Sequence, residues 1–241
     1  RSFHVTGVQT CALPISQLRP HGLRFAPDIS TASRATVGGM ISNNSCGARS
    51  VLYGKTIDHV MELDLVLSDG SRIHVGPMDR AAVDAKCQGD SLEAACYRAV
   101  RDIATECADE VRRRFPKVVR RVGGYNLDEF IDPVKPFNLA KIIVGSEGTL
   151  AMITAAKINL VPLSKEKAVL AIEFETLLDA LAATPTILTH RPSAIEVMDG
   201  FILDHARENP AMDRMRRSIL QTEAPGALLC VELYADRADE L

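Results

Sequence analysis

Three short stretches hold residue types that could handle a charged, flat ligand. The first runs Pro27-Asp-Ile-Ser-Thr-Ala-Ser-Arg-Ala-Thr-Val-Gly-Gly-Met-Ile-Ser-Asn-Asn-Ser-Cys-Gly47 and is followed by Tyr53-Gly54-Lys55-Thr56. Adjacent glycines with Ser, Thr and Asn expose backbone N–H groups and short hydroxyls. That combination suits an anionic diphosphate and the polar edge of a ring. The same small residues serve equally well in a tightly packed internal turn. The second stretch is Gly145-Ser-Glu-Gly-Thr-Leu-Ala-Met-Ile153, a glycine-bearing loop beside apolar runs. No Gly-Lys-Ser/Thr follows, so it is not a Walker loop. No G-x-G-x-x-G opens a helix, so it is not a Rossmann fingerprint. The third is Gly123-Gly-Tyr-Asn-Leu-Asp128, where paired glycines allow close approach and Tyr125 could stack or hydrogen-bond. Read alone, this stretch is more simply a loop with a structural tyrosine.

These stretches need elements to hold them. The end of a helix and its exit are expected over 18–25, and a polar loop over 27–34. Residues 60–67 alternate as a strand, Asp69-Gly70 is a turn signal, and 72–75 return as a second strand. Asp90-Ser-Leu-Glu93 offers a capping-box-like start. Leu92, Cys96, Ala99, Val100, Ile103, Cys107 and Val111 follow at helical spacing, predicting one helix that Pro116 stops. Cys96 and Cys107 fall on its apolar face and are expected to be buried. Residues 140–144 are expected as a short apolar strand entering the 145–149 loop. Strands over 150–155 and 158–161 follow. Past 162–167, strands are predicted at 168–174, 194–198 and 228–233. Helices are predicted from the cap at Thr176 to about Thr189, despite Pro185, and over 201–207. Strand–helix–strand alternation there suggests a second α+β unit.

Bulk properties narrow the field. The chain has 241 residues, 46% hydrophobic and 24% charged, with a formal net charge of -3. That is a globular profile, and nothing in it asks for nucleic acid. The basic run over 112–121 has few interleaved aromatics and reads as a charged helix end and loop. No apolar run reaches the ~18 residues of a membrane span. None of the six cysteines forms a C-x-x-C pair, so zinc and iron–sulfur spacing is absent, and a reducing, cytoplasmic setting is the default. His59 and His74 have no metal-ligand spacing between them and read as structural. Glu196 and Asp199 read as solvated loop carboxylates.

Residues 5–15, Val-Thr-Gly-Val-Gln-Thr-Cys-Ala-Leu-Pro-Ile, have neither helical nor strand period. They can be encoded by the bases of a common short-read sequencing adapter read in frame. Residues 1–16 are therefore expected to be adapter read-through, outside the reasoning about fold.

The order Pro-Asp…Ala-Thr-Val-Gly-Gly…Asn…Gly…Tyr-Gly, strand–Asp-Gly–strand, Gly-Tyr-Asn-Leu, then Gly-Ser-Glu-Gly-Thr-Leu…Ile-Thr resembles one family. It is similar to the FAD-linked 2-hydroxyacid dehydrogenases of the vanillyl-alcohol-oxidase superfamily, which carry a PCMH-type FAD-binding domain. Within that family it looks like the bacterial D-2-hydroxyglutarate dehydrogenase and glycolate oxidase flavin-subunit type with a C-terminal iron–sulfur region. The resemblance implies an α+β fold. Residues 17–163 would be the second part of the FAD-binding domain, and 164–241 the start of an α+β substrate or cap domain. It implies that Ser30, Thr31, Thr36, Gly38 and Gly39 line the diphosphate and flavin. Asn43, Asn44, Ser45, Gly47, Tyr53 and Gly54 would continue that wall. Glu147, Gly148, Thr149, Leu150 and Ile153 would close over the cofactor. It further implies a small 2-hydroxyacid substrate (D-2-hydroxyglutarate, D-lactate or glycolate). Electrons would leave through an iron–sulfur relay, a quinone or an electron-transfer protein.

The family's Gly-Gly-Gly-Thr-type diphosphate loop, its late His-rich segment and its cysteine clusters have no counterpart here. The resemblance thus covers a fragment, expected to be inactive alone and without a complete active site, and the catalytic base is not assigned. Two other readings keep the flavin domain: an alkyl-glycerone-phosphate-synthase-like enzyme without net redox, and a non-catalytic remnant.

Overall fold

The computed structural model describes residues 18–241 and the backbone of 2–6; residues 7–16 of the expected adapter segment lie outside the described residues. The chain divides into two compact units. One is Arg1–Gly47 with Gly54–Pro162, and the other is Leu163–Leu241 with the excursion Ala48–Tyr53.

Unit 1 is built on antiparallel strands. Strand β1 is Ser2–Thr6, β3 is Val60–Val66, β4 is Arg72–Val75 and β5 is Met152–Asn159. Their order in the sheet is β1-β5-β3-β4. A two-residue strand β2, Leu23–Arg24, pairs with β6, Val161–Pro162. Leu63 and Leu65 of β3 alternate into the core, while Asp64 between them faces away and meets His74 of β4 (Nδ1 to Oδ1, 2.6 Å). The turn between β3 and β4 passes through Gly70 at φ 83°, a left-handed conformation that glycine adopts without strain. A strand at residues 2–6 was not expected from side-chain period. It is an edge strand, held by main-chain bonds to 155–159, and such pairing requires no period.

Helices of unit 1 pack on the face of this sheet that carries Leu63 and Leu65. Helix α1 is Val37–Ser42; α2, Ser50–Tyr53, belongs to unit 2; α3 is Thr56–His59; α4 is Arg80–Lys86. The single helix predicted from residue 92 is two: α5, Leu92–Glu106, capped by Ser91 Oγ accepting from Ala94 N, and α6, Ala108–Arg114. The break falls at Cys107, whose backbone (φ -100°, ψ 9°) ends one helix and starts the next, and which is exposed rather than buried. Residues 140–144 are also not a strand. Ala140–Ile143 form a helical turn, α7, because Asn138 Oδ1 accepts from Ala140 N and starts a turn. A short apolar run does not distinguish the two by period.

Unit 2 is a three-stranded antiparallel sheet in the order β7-β9-β8, with β7 Glu166–Phe174, β8 Ala194–Asp199 and β9 Ala227–Ala235. Helix α8, Leu177–Leu188, starts at the Thr176 cap and accommodates Pro185. Its Ala180 packs with Ala227, Leu229 and Val231 on one sheet face. Helix α9, Gly200–Glu208, is capped by Asp199. Helix α10, Pro210–Ile219, is capped by Asn209 and has Pro210 at its first position; it was not anticipated. No helix among the described residues is long and apolar enough to cross a membrane.

Candidate cofactor site

Helix α1 organises the site. Thr36 sits in an extended conformation, and its Oγ1 accepts from Gly39 N at 3.0 Å, which caps the helix. Val37, Met40 and Ile41 point into the core, leaving Gly39 exposed on the opposite side. A Cβ at Gly39 would lie 3.1 Å from Thr36 Oγ1, so glycine keeps the cap intact. Asn43 ends the helix and Asn44 turns left-handed at φ 51°. Asn44 is fully buried; its Oδ1 accepts from Ile57 N at 3.0 Å, at the start of α3. Ser45 O accepts both the amide and the hydroxyl of Thr56 (3.0 and 2.8 Å). At Gly47 a side chain would collide with the Asp28 carbonyl, so the 27–31 loop lies directly against the end of the motif.

The second glycine loop joins the same helix. The last carbonyls of a helix have no partner within it. Here Ile41 O accepts from Gly145 N (2.9 Å) and Ser42 O from Glu147 N (2.8 Å). Glu147 (φ 52°) and Gly148 (φ 76°) are consecutive left-handed residues, the first a conformation unusual for a residue with a side chain. Thr149 Oγ1 donates to Ser146 O at 2.5 Å and lies 2.9 Å from Tyr125 Oη. Beside it, Asn126 is buried and its Nδ2 donates to Val144 O at 2.6 Å, behind the loop. The three stretches thus form one assembly, although more than a hundred positions separate Gly39 from Gly145.

Placement of the expected cofactor residues follows from this. Ser30, Thr31, Gly39, Asn43, Glu147, Gly148, Thr149 and Leu150 are exposed around α1 and its partner loop. Thr36, Ser45, Gly47 and Gly54 are half-buried, and Gly38 and Asn44 are buried beneath them. Ile153 is a core residue of β5, opposite Leu65. Tyr53 falls in unit 2. Sequence reasoning quoted Asn126 within the 123–128 stretch without giving it a role, and missed Lys141. Lys141 Nζ donates to Ile57 O (2.6 Å) and Val60 O (2.9 Å), tying α7 to the end of α3, and burial pushes its ammonium pKa down. It also missed Glu232, which in unit 2 binds Arg49, Lys167 and Ser193 together.

A flat anionic cofactor fits these residues. The wall is made of glycine, short hydroxyls and backbone, and a Cβ added at Gly124 or Gly148 would meet nothing within 4 Å. One buried donor, Asn44 Nδ2, has no partner among the described residues. An unspent buried amide is costly and calls for an acceptor. No group of His, Cys, Asp and Glu among the described residues could hold a metal ion.

An FAD binding domain matches residues 15–76, and the C-terminal domain of FAD linked oxidases matches 163–241. The chain thus carries matches to an FAD binding domain and to the C-terminal domain of FAD linked oxidases. The chain is 39% identical over 186 residues to a D-2-hydroxyglutarate dehydrogenase of Pseudomonas putida, covering 77% of this chain and 18% of that protein. It is 32% identical to a D-lactate dehydrogenase of Archaeoglobus fulgidus, over 74% of this chain and 29% of the relative. It is 27% identical to glycolate oxidase subunit GlcD of Bacillus subtilis, over 77% and 29%. The D-2-hydroxyglutarate dehydrogenases it matches are much longer: the chain spans 18–20% of their length. Among solved structures it is similar to alkyldihydroxyacetonephosphate synthase, with a TM-score of 0.61 and 17% identity over 97% of this chain and 35% of the other. At that identity the likeness is one of fold.

Proposed function

We propose that this chain is the flavin-holding part of an FAD-dependent dehydrogenase that oxidises a small 2-hydroxyacid to the 2-oxoacid. The observation that carries the reading is the convergence of three glycine-bearing stretches around α1, in a chain whose relatives are named for 2-hydroxyacids. When bound, FAD would take up the hydride released from the substrate's α-carbon. Thr36, Gly38, Gly39 and Ser30–Thr31 would bind the diphosphate through hydroxyls and backbone amides. Asn43 to Gly47, with Gly54, would continue the wall within unit 1. Asn44 Nδ2 would supply the buried donor. Glu147 to Leu150 would cover the cofactor and exclude water, with Ile153 supporting them from the core.

D-2-hydroxyglutarate is favoured over D-lactate and glycolate, because identity is highest to the D-2-hydroxyglutarate dehydrogenases. Electrons would leave to an iron–sulfur relay, a quinone or an electron-transfer protein. The cluster would be carried by the protein beyond residue 241, and the setting would be the cytoplasm. The test is anaerobic mixing of the full-length protein with each hydroxyacid while the flavin's visible absorption is followed. Rapid bleaching by D-2-hydroxyglutarate is expected. A flavoprotein that none of the three acids bleaches would end the proposal.

A further inference from the structure

The chain leaves unit 1 at Gly47, contributes Ala48–Tyr53 to unit 2, and returns at Gly54. Both ends of this excursion are fixed by residues that tolerate no side chain. Gly47 lies against the Asp28 carbonyl. Gly54, at φ 77°, lies over the Asp58 carboxylate, which accepts from Lys55 N at 2.7 Å. Within unit 2, Arg49 ties the excursion to the sheet. Arg49 binds Glu232 of the central strand β9 with two parallel bonds, Nε to Oε1 at 2.6 Å and Nη2 to Oε2 at 3.1 Å. Its guanidinium carbon also lies 5.5 Å from the centroid of the Tyr234 ring. Planar two-point pairing of this kind fixes direction as well as distance. Ser193 Oγ donates to Glu232 Oε1 at 2.9 Å, and Lys167 Nζ completes the cluster. Burial alone would push the Glu232 carboxyl pKa up. The bonds from Arg49, Lys167, Ser193 and Tyr234 outweigh it and hold the group well below the usual carboxylate range.

We propose that Arg49 is a positioning residue for the cofactor site. By anchoring the excursion on Glu232, it sets the conformation of the flanking residues 43–47 and Gly54, which belong to the wall proposed for FAD. The inference rests on the proposed function, and it separates Arg49 from the other cation on Glu232. Lys167 stabilises the same carboxylate but lies outside the excursion, so its loss costs stability without reaching the wall.

The experiment compares Arg49→Met, Arg49→Lys, Lys167→Met and Glu232→Gln in the full-length protein. FAD affinity of the apoprotein is read by flavin fluorescence, and backbone order over 43–47 by hydrogen exchange. Arg49→Met is expected to weaken FAD binding on the order of tenfold, and Arg49→Lys by less. Exchange over 43–47 should accelerate in both. Lys167→Met should lower the melting temperature and leave FAD affinity within about twofold. The double variant Arg49→Met with Glu232→Gln should bind FAD no worse than Arg49→Met alone. Equal effects of Arg49→Met and Lys167→Met, confined to melting temperature, would overturn the proposal. If Arg49→Met does not fold, Arg49→Lys carries the same decision. If the unaltered protein takes up no FAD, the proposed function fails, while exchange over 43–47 still decides whether Arg49 orders that segment.

Discussion

Exchanging one atom type at Asn126 tests how the glycine loop is held. Its side chain is 1% exposed and donates to Val144 O at 2.6 Å and, more weakly, to Lys141 O at 3.4 Å. Asn126→Asp keeps the shape and replaces the donor. Protonated, the new carboxyl still gives one O–H to Val144 O, and only the long bond is lost, a cost of about 0.5–1 kcal/mol. Ionised, it places a buried negative charge against two carbonyl oxygens. The nearby Lys141 ammonium is already engaged by Ile57 O and Val60 O. The folded pKa is therefore raised above the ~3.9 of an unfolded aspartate. With a raised pKa, stability is fully present below the unfolded value and is lost as pH rises toward the folded one, by about 1.4 kcal/mol per unit. Between pH 5 and pH 8 the ceiling is about 4 kcal/mol, and a gap of about 2 kcal/mol or more between variant and unaltered protein should open. Urea unfolding of the full-length protein at the two pH values measures it. A deficit that is the same at both would mean that Asn126 does not face those carbonyls, and the account of the 145–149 loop would fall.

Two further outcomes follow from residues at other places in unit 1. Gly47→Ala puts a methyl on the Asp28 carbonyl and should cost about 3 kcal/mol or more, whereas Gly70→Ala, with open space around it, should cost only the left-handed strain of about 1 kcal/mol; paired denaturation curves give both. Tyr97 is fully buried, its hydroxyl has no partner among the described residues, and burial pushes its pKa up from 10.0 to about 12. Its contribution is intact below pH 10 and is lost as pH rises toward 12. Tyr97→Phe should therefore flatten the alkaline fall in stability and add about 1 kcal/mol at neutral pH, as read by denaturation across pH.

What was legible in the sequence was local. The β3–β4 hairpin, the Thr176 cap, the strands of unit 2 and a helix start near residue 90 follow from side-chain period and turn chemistry within a few residues, although the cap of that helix is Ser91 rather than the Asp90 of the capping-box reading. The glycine stretches were visible, but not that Gly145 and Glu147 spend their amides on the carbonyls of Ile41 and Ser42. Such bonds are made by backbone atoms common to every residue, and no side-chain pattern marks them. Residues 140–144 failed as a strand because Asn138, outside the apolar run, decides the turn. Cys107 failed as a buried position because helical period continues through a break that the backbone does not. Arg49 and Glu232 lie 183 positions apart, and nothing in the neighbourhood of either announces the other.

That distance has a consequence for synthesis. Elongation proceeds at roughly 5–20 residues per second, so Glu232 is made on the order of 10–40 s after Arg49. Throughout that interval the excursion has no β9 to dock on, while its two anchoring glycines are already available to unit 1. The six residues between them must wait as a tethered loop, and the final closure joins the oldest part of this segment to the newest. A deletion or early stop before residue 232 would leave that loop permanently open, with the damage appearing at a site nearly two hundred residues upstream.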